Sequence, residues 1–510
     1  MSVLIRQRTA PHEGLWTRLD QRGRIMVILM IAAAVAVMGA QGTTLARALI
    51  GLAGLVVFVV IAFAHRDTAL VMLVVWIVLL GFIRRFLIPF AGWSENDPLL
   101  LVGPAAAITF LLASRDAASR RPHTPMSGCA AFLTLWSALQ IFNPNEDSLL
   151  TASQGAMFFV VPMLWFFVGR TLTDAQHEKI VNAVFWVAIA VVGHGLYQTF
   201  VDILPFEYTW VGVSNQNAAI FLPGFKIRPF STLTSPQEYG QFLSFALLII
   251  WAKILYAPKG GPSRWLVAFF VVSAVAIFYQ GTRTSFLFFL LAFAITTVVR
   301  FRSVALLLLI LVGGAGLTQW VGAQDVQEVQ ASQGEAVETS DALASHTLAG
   351  LTNPGNSTLP LHIELIEKGL TNGIREPFGS GVSRGTIAAK KAEEVEGPSA
   401  ENDVANVMET LGAPAGFAYL TFIFAGFAAA IRLQRRRPSA RHLAYLGLLI
   451  GATTQWWSGQ LYATSTILFL ALGGLARESA ELHEADRVKA YERIRSAAVK
   501  AGQRVRVPAP

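Results

Sequence analysis

Charged residues are scarce in this chain. Only 14% of its 510 residues are Asp, Glu, Lys or Arg, whereas 54% are hydrophobic. A soluble protein of this length needs more charge to cover its surface, so the composition excludes an ordinary water-soluble enzyme. The apolar excess indicates instead that lipid contacts most of the exterior.

Several kinds of chemical site are also missing. The single cysteine, Cys129, excludes an intrachain disulfide and a cysteine-based metal centre. No spacing of histidines and carboxylates forms a recognisable metal site, and the sequence has no glycine-rich nucleotide loop. We therefore expect no metal, no other cofactor and no use of ATP. The net charge of +8 does not indicate nucleic-acid binding, because the basic residues are concentrated in short loops and at the two ends.

Long apolar runs recur along the whole chain. They predict an all-α, polytopic membrane helix bundle of about 14 transmembrane helices. Eleven spans are expected within 25–321 and three within 411–476. The runs lie near 25–40, 48–64, 68–83, 99–113, 128–143, 153–169, 178–200, 239–256, 264–279, 285–299, 303–321, 411–431, 442–458 and 461–476. The basic N-terminus, 1–24, leads into the first run without a small-residue cleavage site, so we interpret that run as a span and not a removable signal.

Arginine and lysine indicate the orientation of the chain. Cytoplasmic loops carry an excess of both residues, and the clearest basic loop is RLQRRRPSARH at 432–442. With 1–24 inside, loop after loop agrees with one topology, and both termini are predicted to be cytoplasmic. The tail 477–510 is predicted to form a basic amphipathic helix that anionic lipid attracts.

Three segments are then predicted to lie on the outer face. They are the loop 201–238, the turn QGTRTS at 280–285, and a long, acidic loop at 322–410. The long loop regains apolar spacing between Leu361 and Leu370, which predicts an amphipathic helix on the membrane surface or over a cavity.

A few cations depart from the positive-inside trend. The exceptions, at or near the outer face, are Arg84, Arg85, Arg228, Arg283 and Arg384. Arginine is well suited to holding a diphosphate, because its planar fork donates paired hydrogen bonds to phosphate oxygens. Any one of these residues could instead be a loop charge that reaches the interface, but the set on one face indicates anion binding. His362, on the predicted surface helix, is a further candidate ligand, whereas His194 inside a span is better interpreted as a helix–helix contact.

Four passages on the outer face resemble the O-antigen ligase and O-antigen polymerase superfamily of bacterial polysaccharide assembly. RPFSTLTSPQEYGQFL (228–243) is similar to the family's arginine-led segment that opens into a span, and GTRTSFLFFLLAF (281–293) to its short Ser/Thr–Arg turn. REPFGSGVSRG (375–385) resembles a Pro–Phe–Gly passage late in the long outer loop. ENDVANVMETLGAPAG (401–416) resembles the segment that closes this loop.

The resemblance implies a metal-independent, inverting glycosyltransferase in the bacterial inner membrane, with a long periplasmic loop at 322–410. Its donor would be a glycan linked to a polyprenyl diphosphate, and its surroundings the lipid bilayer. A flippase and a chain-length regulator of the same pathway are the expected partners. The implied function is polymerisation of oligosaccharide repeat units at the periplasmic face.

The resemblance also implies roles for individual residues. Arg228 and Arg283 match the family arginines that hold the pyrophosphate. Where the ligase branch has a histidine that activates the acceptor hydroxyl, this chain has Glu401, which is either a base or an acidic residue at a helix start. Asn402 either contacts substrate or caps the same helix. The expected substrate-binding residues are Arg84, Arg85, Asn402, Arg384 and His362.

Two alternatives stay open beside polymerisation. One is ligase-type transfer of the glycan to a lipid or protein acceptor, which Glu401 disfavours because it replaces the ligase histidine. The other, from a different class, is a flippase for lipid-linked oligosaccharide or a polysaccharide transporter. Against a transporter, the spans contain few acidic residues and one large outer loop breaks any symmetry between halves.

Overall fold

The protein is helical throughout the part of the chain that the computed structural model describes. That part comprises residues 44–94, 96–114, 123–214, 220–221, 227–303, 343, 359–386, 402–453, 455–457 and 461–500. Within these ranges there is no β-strand, and the only β-type pairing is an isolated bridge between Phe221 and Ile227. The predicted all-α class is confirmed.

Sixteen α-helices follow one another within the described ranges, with short 3₁₀ turns at Pro98–Leu101 and Gln140–Phe142. The helices are α1 Thr44–Ala64, α2 Arg66–Phe86, α3 Ile88–Ala91, α4 Val102–Ala113, α5 Pro125–Leu139, α6 Leu149–Thr171, α7 Asp174–Phe200, α8 Pro205–Val213, α9 Pro236–Leu255, α10 Arg264–Tyr279, α11 Arg283–Phe301, α12 Leu359–Arg375, α13 Asp403–Leu411, α14 Ala413–Arg436, α15 Ala440–Gly451 and α16 Tyr462–Lys500.

Eight helices in the described ranges are long and apolar enough to cross a membrane, namely α1, α2, α5 with its 3₁₀ turn, α6, α7, α9, α11 and α14. Each coincides with a predicted run. Pro98–Ala113 and Arg264–Tyr279 are apolar but shorter. A multi-pass helical membrane protein is thus confirmed, and the count of about 14 spans stays a prediction.

Some predictions fall partly or wholly outside the described residues. The runs at 25–40 and, apart from Ser303, at 303–321 belong to this group. The predicted span at 442–458 corresponds to α15, which has 12 residues. The predicted tail is not a separate element up to Lys500, because α16 continues from the last predicted span as one helix of 39 residues.

Serine and threonine start several of these helices. Their side-chain oxygens accept hydrogen bonds from backbone N–H groups that have no partner within the first turn. In α5 and α7 the third helical residue also bonds back to the cap, which completes a capping box. The capping residues are Thr124 for α5, Ser148 for α6, Thr173 for α7, Ser235 for α9, Ser263 for α10 and Ser439 for α15.

The centre of the bundle is the contact between α6 and α16. Gly169 lies against the backbone of Leu470, and Gly473 against the carbonyl of Phe166, so closely that a Cβ at either glycine would overlap that backbone. Small residues allow the two helices to approach this closely. Close approach adds dispersion contacts, which stabilise helix pairs in a membrane, where no hydrophobic driving force acts between them. Trp165 and Phe166 fill the space beside the contact and are fully buried.

Contacts between helix ends define two faces of the bundle. At the Arg85 end, the start of α1 meets the end of α2, where Arg47 donates to the carbonyl of Arg84 at 3.0 Å. At the opposite Arg441 end, the start of α2 meets the end of α6, where Arg66 donates to Thr171 Oγ1 at 2.7 Å. The arginine distribution of the sequence predicts that the Arg85 end is the outer one.

A buried ionic cluster holds α16 at the Arg441 end. Glu478 is 2% exposed and forms an ion pair with Arg441 at 3.0 Å and a hydrogen bond with His442 at 2.8 Å. Burial opposes ionisation of this carboxyl, but the His442 bond and the Arg441 charge hold the pKa of Glu478 below its usual value. The carboxylate therefore stabilises the fold in its charged form.

We expect Glu478→Gln to lower the free energy of unfolding by about 3 kcal/mol, because the buried Arg441 loses its nearest carboxylate and keeps only the longer contacts with Asp174 and Glu178. Because the folded-state pKa of Glu478 is depressed, this contribution is present above the unfolded value of about 4.3 and disappears as the pH falls through the folded value. Thermal unfolding in detergent at several pH values measures it. Glu484→Gln, at an exposed ion pair with Arg487, is the control, and equal stability of the two variants at pH 7 would contradict the assignment.

Candidate functional site

An irregular segment, 227–235, lies between α2 and α7 at the Arg85 end. It contains Arg228, and its residues Phe230, Ser231 and Thr232 are buried. A non-helical backbone inside a membrane protein needs partners within the protein, because lipid offers no hydrogen bonds.

Two side chains from neighbouring helices supply those partners. Gln198 Oε1, from α7, accepts hydrogen bonds from the backbone N–H groups of Phe230 at 3.0 Å and Ser231 at 2.7 Å. Arg85, from α2, donates from Nη1 to the carbonyl of Leu233 at 2.6 Å, and from Nη2 to the carbonyl of Ser231. The segment after Arg228 is thus held from both sides.

A glycine on α2 lets the segment come this close. A Cβ at Gly81 would overlap the carbonyl of Leu233. The next residue of the helix, Phe82, donates its N–H to the carbonyl of Thr232 at 2.9 Å. Ser231 has φ +51°, a left-handed conformation that few non-glycine residues adopt, and its hydroxyl donates to a carbonyl of α7 at 2.6 Å. The backbone path is therefore specified in detail.

Arg85 is occupied entirely by groups of the protein. It is 1% exposed, forms an ion pair with Glu207 at 3.5 Å, and lies over the rings of Trp210 at 5.1 Å and Phe230 at 4.6 Å. Burial opposes ionisation of Glu207, but a hydrogen bond with His194 and the Arg85 charge hold its pKa below the usual value. The predicted substrate contact of Arg85 is corrected to a positioning role, because this guanidinium has no surface left for a ligand.

Arg84 is placed in a similar way. Its Nε donates to Asp97 at 3.1 Å, its guanidinium lies 4.7 Å from the ring of Trp93, and the residue is 9% exposed. Arg47 forms an ion pair with the same carboxylate. Arg84 therefore fixes the connection after α2, and its role in substrate binding stays a prediction.

The turn that carries Arg283 is attached to the start of α9. Gln280 is fully buried, donates to the carbonyl of Pro236, and accepts from the N–H of Thr282 at 2.9 Å. Gly240 leaves the space for this side chain, since a Cβ there would lie 2.6 Å from Gln280 Oε1. This helix, α9, directly follows the segment 227–235 in the chain.

These attachments place Arg228 and Arg283 near enough for their charges to interact. Both residues are half-buried, and both lie at the Arg85 end. Burial, and then the nearby Arg283 cation, lower the pKa of the Arg228 guanidinium. Two cations placed within each other's field, and partly shielded from bulk water, form a region that favours an anion such as a phosphate. This arginine pair is the candidate site.

The closing passage of the long loop is joined to the same region. Gln237, on the first turn of α9, donates to Gln455 Oε1 at 2.7 Å. Two residues on, the N–H of Trp457 donates to Asp403 at 2.6 Å, and Tyr419 donates its hydroxyl to the same carboxylate at 2.7 Å. Through the turn 455–457, the start of α13 is connected to the start of α9.

The Pro–Phe–Gly passage packs against α13. Ser380 N–H donates to the carbonyl of Glu409 at 2.9 Å, and Gly381 N–H to that of Thr410 at 3.2 Å. Ser383 donates its N–H to Glu146 Oε1 at 2.9 Å, which ties the passage to the connection between α5 and α6. Apart from Glu401, which lies outside the described part, all four passages that carry the family resemblance therefore have residues at one end of the bundle.

The other predicted site residues are distributed as follows. Asn402 caps α13, accepting the N–H of Val404 at 2.9 Å, which is the capping alternative. Arg384 is exposed on the turn after the Pro–Phe–Gly passage. His362 belongs to α12, but its side chain lies outside the described part, and Glu401 lies outside it altogether. Among the described residues, no three His, Cys, Asp or Glu side chains are grouped so as to hold a metal.

Sequence reasoning missed several polar residues that build the site. Gln198 and Gln280 position the two arginine segments, and Asp403 is 3% exposed although it follows Asn402 at a helix start. Glu238 is fully buried and accepts the N–H of Ala463, which joins α9 to the start of α16. For Gln198, Gln280 and Glu238 a signal was present, because each is a polar residue within or beside an apolar run, where lipid makes an unsatisfied group costly.

We expect Gly81→Ala to destabilise the protein by about 1–3 kcal/mol, because the added methyl group displaces the carbonyl of Leu233 and overpacks the contact. Gly193→Ala, on α7 with no atom within 4 Å of its Cβ position, is the matched control. That change should stabilise α7 by up to about 1 kcal/mol. Thermal unfolding in detergent compares the two, and equal effects would show that the segment does not lie against Gly81.

Comparison with known proteins adds no family name. No family model matches the chain, and no curated protein matches it. The resemblance to the ligase and polymerase superfamily therefore rests on the four passages, and their common location at the Arg85 end is the structural observation that accompanies it.

Proposed function

We propose that this protein is a glycosyltransferase that joins polyprenyl-diphosphate-linked oligosaccharide repeat units. It acts at the periplasmic face of the bacterial inner membrane, with both termini in the cytoplasm and the Arg85 end facing outward. The observation that carries the proposal is the pairing of Arg228 with Arg283 at the end where the other resembling passages also lie.

The arginine pair suits the leaving group of this reaction. The acceptor hydroxyl oxygen bonds to the anomeric carbon of the donor, and the bond from that carbon to the diphosphate oxygen breaks. Negative charge grows on the departing polyprenyl diphosphate, where Arg228 and Arg283 stabilise it. Attack opposite the leaving group inverts the anomeric centre. No nucleotide is required, because the diphosphate ester already supplies the driving force.

The acceptor side requires a base and a fixed geometry. We propose Glu401 as the base that takes the hydroxyl proton, in the place of the family histidine. Asn402 and Asp403, the next two residues, fix the start of α13 through the helix cap and through the turn 455–457. Because Asp403 is buried and bonded to two backbone N–H groups and to Tyr419, it positions the segment and does not contact substrate.

Arg228→Ala and Arg283→Ala, made separately, should each reduce the rate of sugar transfer about 100-fold or more. Each removes a donor to charge that develops in the transition state. The assay reconstitutes the purified protein in vesicles with a polyprenyl-diphosphate-linked repeat unit, and follows chain length and released polyprenyl diphosphate. Products longer than two repeats without any other acceptor distinguish polymerisation from transfer to a lipid or protein.

Arg264→Ala is the matched control, because Arg264 is an exposed arginine at the start of α10, at the opposite end of the bundle from the proposed site. It should leave the rate unchanged. Folded Arg228→Ala and Arg283→Ala variants that make chains of normal length at the normal rate would overturn the mechanism. Transport of the donor across the vesicle membrane without chain growth would favour the flippase alternative.

A further inference from the structure

A groove of about 420 Å³ lies on the side of the bundle, between α2 and α7 and nearer to the Arg441 end. It opens toward the space that lipid occupies around a membrane protein. Residues of both helices line it, namely Val71, Val75, Lys179, Asn182, Trp186 and Val187.

Two contacts, one on each side of the groove along the helices, hold α2 and α7 together. Near the Arg441 end, Gln176 donates to Asp67 Oδ1 at 2.8 Å. Toward the Arg85 end, the rings of Phe82 and His194 meet edge to face at 5.4 Å. Between these two contacts the apolar walls stay open, and Trp186 is 62% exposed. In a bilayer, acyl chains are the molecules that meet such a surface.

Lysines stand at the polar end of the groove. Lys179 is half-exposed and forms an ion pair with Asp67. Lys253, from the last turn of α9, donates to the neutral amide of Asn182 at 2.7 Å. The negative charge of Glu178 also acts on Lys253, but Glu178 Oε1 faces Arg441 at 3.7 Å. Arg66, next to Asp67 in the chain, adds a third cation. The three cations Arg66, Lys179 and Lys253 thus exceed the two carboxylates Asp67 and Glu178 at this end of the groove.

The dimensions match one chain of a phospholipid. From Lys179 to Val187, α7 advances about 12 Å at 1.5 Å per residue. The hydrocarbon of one leaflet is ~15 Å thick. A lipid with its phosphate at Lys179 and Lys253 would thus lay an acyl chain along Val75 and Trp186 down the length of the groove.

We propose that this groove binds an anionic phospholipid, with the phosphate held by Lys179 and Lys253 and one acyl chain between α2 and α7. The predicted orientation places the groove in the cytoplasmic leaflet, which carries anionic lipid. The proposal stands on the groove and its lysines, and is independent of the proposed transferase activity.

Native mass spectrometry of the full-length protein in neutral detergent tests this inference, with phosphatidylglycerol and phosphatidylcholine of identical chains as probes. We expect the wild type to retain phosphatidylglycerol preferentially. Lys253→Gln and Lys179→Gln should each weaken that retention about fivefold, because one lysine contact to the phosphate is lost. Val75→Trp should weaken retention of both lipids, since the indole ring of tryptophan fills the groove.

Lys259→Gln removes an exposed lysine of the connection between α9 and α10 and is the control that should bind like the wild type. Thermal unfolding of each variant without added lipid shows which of them are folded and can be compared. Equal retention of the two lipids by the wild type would overturn the proposal. So would unchanged phosphatidylglycerol retention in folded Lys253→Gln, Lys179→Gln and Val75→Trp variants.

Discussion

The candidate site depends on the two hydrogen bonds that Arg85 donates to the carbonyls of Ser231 and Leu233. Membrane proteins tolerate irregular backbone only where protein groups satisfy it, because an exposed polar group costs several kcal/mol in lipid. The segment 227–235 meets this requirement through Arg85 on one side and Gln198 on the other. Glu207 neutralises Arg85 in turn, so that the cation can stay buried. Without this arrangement, the chain after Arg228 would have no fixed path.

Five of the arginines at the Arg85 end divide into two groups. Arg47, Arg84 and Arg85 are buried against Asp97 or Glu207 and serve the structure. Arg228 and Arg283 are half-buried, and each lies on a turn that other residues hold in place. If this pair binds a phosphate as we propose, little backbone ordering is required on binding, because the protein has already fixed the backbone that carries both residues. The buried arginines thus support the ones that we propose to contact substrate.

The sequence predicted the elements of the fold better than the roles of individual residues. Apolar runs are local patterns, and each of the eight long helices coincides with one. The partner of Arg85, by contrast, is 148 residues away in the chain, and no local pattern indicates such a contact. Arg85 was therefore predicted as a ligand although it serves the structure. The arginine distribution predicted Arg228 and Arg283 on one face, but it could not predict how near they lie to each other, because that depends on Gln280 bonding to the start of α9.

The central claim places the arginine pair on the non-cytoplasmic side of the membrane. Labelling of single cysteines with a membrane-impermeant thiol reagent in intact spheroplasts tests it most directly. The native thiol is removed first by Cys129→Ser, and Arg228→Cys and Arg283→Cys are then introduced one at a time. The account predicts that both cysteines react without permeabilisation. Reaction of both only after the membrane is permeabilised would place the pair in the cytoplasm, where it could not act on a periplasmic donor.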